Sequence, residues 1–163
     1  MGAATVRSLA RQGCSVLINY AQSASEAAGV RADAEGCGVK AGLFQGDVSQ
    51  DEVCRGLVDA AVEMFGRLDI LINNAGTTEF IPADDFDSVN DEVWSRLMDV
   101  NVKAAFQCVR AARPHLQAAG SAEIVSVASV AAFTGRGSCI PYCASKGALV
   151  TMTKSLARVL GPH

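Results

Sequence analysis

Hydrophobic and polar positions recur along this chain in two rhythms, one suited to helices and one to buried strands. Val6, Leu9 and Ala10 fall on one helical face within residues 2–11, and Gly13 follows as a stop. The run Cys14-Ser15-Val16-Leu17-Ile18-Asn19-Tyr20 is short, apolar and β-branched, which predicts a strand. Residues 23–35 read as a second helix with Ser23 as N-cap and Gly36 and Gly38 at its end, leading into a strand over 39–45. Helical spacing returns over 51–66, where Val53, Leu57, Val58, Ala61, Met64 and Phe65 share a face. Leu68-Asp69-Ile70-Leu71-Ile72-Asn73 is nearly continuously apolar, as expected of a strand covered on both faces. A loop-rich stretch with Pro82 occupies 77–90, a long helix is predicted over 91–118, and residues 123–129 form another strand. Trp94, Leu97, Met98, Val102, Phe106 and Val109 give that helix more than one apolar side, which predicts burial against a second helix or subunit. After a loop over 130–141, a last helix is predicted over 142–160.

Strand and helix alternate, each helix is long enough for a crossover, and no run of adjacent hairpins appears. This pattern predicts an α/β fold, a parallel sheet flanked by helices with ligands at the carboxyl ends of the strands. There is no internal repeat or linker, so residues 1–163 are expected to form one domain, and half of them are hydrophobic, enough for a sizeable core. A net charge of −3 without a basic cluster argues against nucleic acid as a partner. No apolar run approaches a membrane span, and a cytoplasmic location is expected. Six cysteines are scattered without a C-x-x-C pair or a histidine at ligand spacing, so reduced thiols are expected rather than a metal site.

The last predicted helix opens on Tyr142-Cys143-Ala144-Ser145-Lys146. Residues four apart share a helical face, so the phenol and the ammonium stand side by side, and the positive charge favours the phenolate. Such a pair suits proton transfer near neutral pH. The same spacing also fits an amphipathic helix with an incidental tyrosine and a solvated lysine. Three further polar clusters mark the predicted strand ends: Asp47-Val48, Asn73-Asn74-Ala75-Gly76, and Ser126 with Ser129. Each alone also fits ordinary turn chemistry.

Taken together, in this order and on this topology, these residues resemble the short-chain dehydrogenase/reductase family, over essentially the whole chain. The most specific points are Asn73-Asn74-Ala75-Gly76, Asn101 within Asp99-Val100-Asn101-Val102-Lys103, Ser129 at a strand end, and Tyr142-x-x-x-Lys146. The resemblance implies a Rossmann-like, doubly wound sheet and a catalytic tetrad of Asn101, Ser129, Tyr142 and Lys146. It implies that Tyr142 exchanges a proton with a substrate oxygen and that Ser129 hydrogen-bonds that oxygen. Lys146 would depress the tyrosine pKa and bind the nicotinamide ribose, and Asn101 would hold a water linking Lys146 to solvent. Ser126 is expected to be structural. Asp47 and Val48 would meet the adenine, while Asn74, Ala75 and Gly76 would line the adenosine ribose and the central strand. Asn19-Tyr20-Ala21 occupies the place where an acid would select NAD, so NADP is favoured and NAD is the alternative.

The sequence departs from the family at both ends. Gly2 aligns with the last glycine of the phosphate-binding loop T-G-x-x-x-G-x-G, and the first strand, which would lie in the middle of the sheet, is lacking. The C-terminal strands and substrate lid are lacking too. A fragment with impaired cofactor binding is therefore expected. Its substrate would be a small carbonyl compound or alcohol, chosen by the segments 77–90 and 130–141, and Gly135-Arg136-Gly137-Ser138 resembles 3-oxoacyl-carrier-protein reductases. The alternative is a non-catalytic paralogue acting as an interaction protein. In either case the resemblance implies a homo-dimer or tetramer through the helices 91–118 and 142–160, with Leu149, Thr153, Leu156 and Leu160 on the contact face.

Overall fold

The computed structural model describes residues 1–161. Its elements are α1 (Gly2–Arg11), β1 (Val16–Tyr20), α2 (Ala24–Glu35), β2 (Ala41–Gln45), α3 (Asp51–Phe65), β3 (Ile70–Asn73), α4 (Asp91–Met98), a π-helical turn (Asp99–Lys103), α5 (Ala104–Ala118), β4 (Glu123–Ser126), α6 (Ala131–Thr134) and α7 (Ile140–Leu160). The fold is α/β with parallel strands. β1 pairs with β2 and β3 with β4, each pair a two-stranded parallel sheet. Parallel neighbours need a crossover, which α2 supplies between β1 and β2. The chain divides into two compact units, one of Met1–Asp69 with Ala111–Ala122, the other of Ile70–Arg110 with the residues from Glu123 onward.

In the first unit, Val6, Leu9 and Ala10 of α1 pack with Val16, Ile18, Ala34, Val39 and Ala41 around a core of small side chains. Gly13 terminates α1 at φ +85, the left-handed conformation that side chains resist. Ser23 stands at the N-cap of α2, as read from sequence, and its carbonyl rather than its hydroxyl takes up the first turn by accepting from Ala27 N–H. Gly42 within β2 and Gly46 just after it both lie close to α3. A Cβ on Gly42 would lie 2.7 Å from Met64, and one on Gly46 would lie 2.5 Å from Val53, so α3 rests closer to this strand than a larger residue allows. Asp51 and Glu52 in the first turn of α3 complement its dipole.

In the second unit, Ile70–Asn73 lie in register with Glu123–Ser126. One further bond, Val127 N–H to the Asn73 carbonyl at 2.9 Å, prolongs the ladder. The predicted strand over 123–129 thus stops at Ser126, because its partner ends at Asn73. The predicted loop over 130–141 holds the short α6, and α7 starts at Ile140, which places Tyr142 in its first turn. The predicted helix over 91–118 is interrupted by the π-turn. Asn90 caps α4 by accepting from Val93 N–H at 3.0 Å. α7 packs against α4, α6 and the π-turn, and Leu97 and Leu149 are its best-buried aliphatics. Leu149 is buried in the core of this unit, although it was expected on an inter-subunit contact face with Thr153, Leu156 and Leu160. Trp94 and Phe106 stay partly exposed.

Candidate active site

The π-turn carries Asn101. Its closing bond runs from Ala104 N–H to the carbonyl of Asp99, five residues back, and such turns insert one residue into helical phase. Asn101 is 1% exposed, and both of its amide hydrogens and its oxygen are bonded. Oδ1 accepts from Thr77 N–H at 2.8 Å, while Nδ2 donates to the Thr77 carbonyl at 3.0 Å and to Ser145 Oγ at 2.9 Å. Because a backbone N–H can only donate, the bond to Thr77 fixes which way the amide faces. Ser145, 0% exposed, passes the connection on: its hydroxyl donates to the Tyr142 carbonyl at 2.8 Å.

One turn beyond Tyr142, Lys146 lies with Nζ 5.9 Å from the centroid of the phenol ring. Nζ donates to the Val127 carbonyl at 2.8 Å. Lys146 is 4% exposed, and burial holds its pKa below the ordinary lysine value. Gly76 keeps the approach open. A Cβ there would stand 3.3 Å from both Asn101 Oδ1 and Lys146 Nζ. Asn101, Gly76, Ser145, Tyr142 and Lys146 are thus brought into one connected group.

The segment after Gly76 is held at three successive residues. Thr77 is bound by Asn101, Thr78 shares a hydrogen bond with Ser138, and Glu79 pairs with Arg96 of α4. This ties the segment 77–90 to the residues just before α7, the two stretches expected to choose the substrate. Ser129 lies three residues beyond the end of β4, where its Oγ accepts from Ala131 N–H at 3.2 Å and opens α6. Its hydroxyl proton remains available to donate. Nearby, Asn73 Nδ2 is buried without a hydrogen-bond partner among the described residues.

Of the remaining expected site residues, Asn74 and Ala75 belong to the same unit as this group. Asn74 donates its backbone N–H to the Ile72 carbonyl, and Ala75 is exposed. Gly2, Asn19, Asp47 and Val48 belong to the first unit. Gly2 opens α1. Asn19 Nδ2 donates to the carbonyls of Phe44 at 3.2 Å and Gly46 at 3.1 Å. Asp47 accepts from Ser49 N–H at 2.9 Å, and Val48 is buried. Sequence reasoning gave no role to Ser145, Thr77 or Val127. Ser145 and Asn101 are 44 positions apart, and no local pattern signals that contact.

The profile described as short chain dehydrogenase matches residues 1–163. This chain belongs to the short chain dehydrogenase family. Among its relatives is a protein assigned as ketoacyl reductase 2 of the granaticin polyketide synthase of Streptomyces violaceoruber, 38% identical over 163 residues, with 99% of this chain and 64% of the relative covered. A crystal structure assigned to the short-chain dehydrogenase/reductases, from Burkholderia xenovorans, superimposes with a TM-score of 0.95 at 40% identity, covering 99% of this chain and 68% of that one. An NAD+-bound xylitol dehydrogenase superimposes with a TM-score of 0.89 at 30% identity, covering 99% and 61%. The chain spans less than two thirds of the length of the curated relatives it matches. The Rossmann-type fold of the family therefore accounts for the alternating elements. No described helix is long and apolar enough to cross a membrane.

Proposed function

We propose that the protein of which this chain forms part is a cytoplasmic oxidoreductase that uses NADP(H) or NAD(H) to interconvert a small carbonyl compound and its alcohol. The observation that carries the reading is the buried group in which Asn101, Ser145, Tyr142 and Lys146 are joined, with the lysine ammonium over the phenol. A buried lysine with a lowered pKa beside a half-buried phenol is costly to the fold and useful to proton transfer. In the proposed reduction, Tyr142 gives its phenolic proton to the carbonyl oxygen. Ser129 donates a hydrogen bond to the same oxygen and stabilises the developing alkoxide. Lys146, held by the Val127 carbonyl, orients next to the phenol, and Asn101 fixes the turn that carries both.

The residues of this unit fit a nicotinamide nucleoside. Gly76 leaves space beside Lys146 Nζ, which a Cβ would fill, and Asn73 Nδ2 offers an unused donor at the same strand exit. Lys146 and Tyr142 would hold that half of the cofactor, Asn74, Ala75 and Gly76 would line the adenosine ribose, Asp47 and Val48 would meet the adenine, and Gly2 and Asn19 are further proposed cofactor contacts. When bound, the cofactor supplies the hydride. We favour NADP because no acid stands at residues 19–21. The NAD+-bound relative keeps NAD in play, and a competition titration with the two reduced cofactors decides between them.

We further propose that residues 1–163 form one partial dinucleotide-binding domain and that Trp94 and Phe106, exposed on α4 and α5, enter a homo-oligomeric contact. The kinship with a ketoacyl reductase supports a 3-oxoacyl compound as the first substrate to assay. The test of the reading is Tyr142→Phe, followed by the absorbance of the reduced nicotinamide. A variant that keeps most of the wild-type rate defeats the enzymatic reading and leaves the interaction protein in its place.

A further inference from the structure

We infer that Ser145 is a positioning residue that locks the turn carrying Tyr142 and Lys146 to the π-turn carrying Asn101. The inference rests on the proposed oxidoreductase reading for its catalytic consequence, and on geometry alone for the lock itself. Ser145 lies between Tyr142 and Lys146 on α7 but points away from solvent entirely, being 0% exposed. Its hydroxyl is used in both senses. It accepts from Asn101 Nδ2 at 2.9 Å and donates to the Tyr142 carbonyl at 2.8 Å. A hydroxyl has one proton, so donation to Tyr142 leaves its lone pairs for Asn101, and the two bonds are mutually consistent.

The two other bonds of Asn101 bear on this. Its Oδ1 and one Nδ2 hydrogen are committed to Thr77, on the segment leaving β3. The remaining Nδ2 hydrogen has Ser145. The carboxamide thereby joins the strand exit beside Gly76 to α7, and Ser145 is the residue of α7 that receives it. Asn101 and Ser145 are both buried, so water does not replace a lost partner readily, and an unpaired buried donor carries a penalty. Alanine at this position would be welcome to the helix itself. The hydroxyl thus stands against local helix preference, at a place where it reaches Asn101.

The proposal predicts that Ser145→Ala frees the Asn101 carboxamide while leaving the fold in place. In 15N-labelled protein, hydrogen exchange at the Asn101 side-chain amide should quicken by about tenfold or more, the equivalent of roughly 1.4 kcal/mol of lost protection. Circular dichroism should remain that of the wild type. In the turnover assay, kcat should fall about tenfold with KM for the carbonyl substrate within a factor of two, as expected when only the alignment of Tyr142 is lost. Ser145→Cys, with a weak donor and acceptor of similar size, should recover part of the loss in both measurements. Unchanged amide exchange in Ser145→Ala overturns the lock. Faster exchange with kcat within twofold of the wild type overturns the positioning role. If the full-length wild type shows no turnover at all, the oxidoreductase reading falls, and the exchange experiment still decides whether the lock exists.

Discussion

Around β1 and β2, polar side chains at the strand ends serve the backbone closest to them; in the unit of β3 and β4, the π-turn and α7 carry polar side chains that are buried with specific partners. Asn19 ties its own strand to the carbonyls of Phe44 and Gly46, and Asp47 closes a turn on Ser49. These are the uses that asparagine and aspartate have in any protein. Asn101, Ser145 and Lys146, by contrast, are each at most 4% exposed. Burying a cation and a carboxamide beside one another has no benefit to a core that aliphatic residues could fill. The lesson is that residue type at a strand end is a weak functional signal, while costly burial joined to a specific partner is a strong one.

The comparison breaks most visibly at Tyr142. If the second unit holds the chemistry, Tyr142→Phe removes a proton donor and should lower kcat by about 10²- to 10⁴-fold. The urea midpoint should stay near that of the wild type, since the ring and its half-buried packing remain. A comparable fall in stability would mean that the phenol is a structural group. Ser129→Ala should come next, with a loss of about 10²- to 10³-fold in kcat if its hydroxyl supports the substrate oxygen. Its bond to Ala131 N–H at 3.2 Å also disappears, so the start of α6 should loosen as well. Retention of full activity would confine Ser129 to that turn.

How far the sequence reached differs between the same two regions. Helix and strand identities were legible almost throughout, because apolar periodicity is written locally. The π-turn was not, since residues 99–103 continue the helical pattern of their neighbours and the extra residue is visible only in the bond from Ala104 to Asp99. The alternation past Ser126 suggested a longer strand, but pairing ends where the partner does, at Asn73. Leu149 was placed on an inter-subunit contact face because its spacing matched Thr153 and Leu156, and only the packing of α7 against α4 and the π-turn shows it buried. Tyr142 and Lys146 could be paired from one helical turn. Their support by Ser145, Thr77 and Val127 could not, because those contacts join distant stretches of chain.

Lys146 sharpens the contrast through pH. Burial holds its pKa below the ordinary 10.5. Between the folded and unfolded values, the unfolded chain still binds a proton that the folded chain has released, so stability rises with pH across that window. Below the window both states are protonated, and the fold bears the whole cost of the buried ammonium. Lys146→Met removes this cost. Relative to the wild type, the variant's urea midpoint should therefore be most favourable at neutral pH and lose that advantage as pH climbs towards 10.5. Activity should be lost at every pH. A difference between the two proteins that does not change with pH would mean that the ammonium is hydrated in solution.

Asn19 tests the other side of the comparison and should give the smallest effect. Its amide makes two bonds to main-chain carbonyls that hold β1 to the end of β2, at 3.2 and 3.1 Å, in a half-buried position. Ordinary hydrogen bonds of this kind contribute about 1 kcal/mol each, and partial exposure lets water take over some of the loss. Asn19→Ala should therefore lower the unfolding free energy by roughly 1–2 kcal/mol. Its amide hydrogens are already spent on the backbone, so any role toward a 2′-phosphate would have to come from Oδ1 or from the neighbouring backbone. An oxygen acceptor repels a phosphate, so the proposed preference for NADP rests on the absence of an acid at residues 19–21 more than on the presence of Asn19. Asn19→Asp restores an acid there while breaking both amide bonds. It should weaken NADPH binding more than NADH binding, and equal losses for the two cofactors would assign Asn19 to the fold alone.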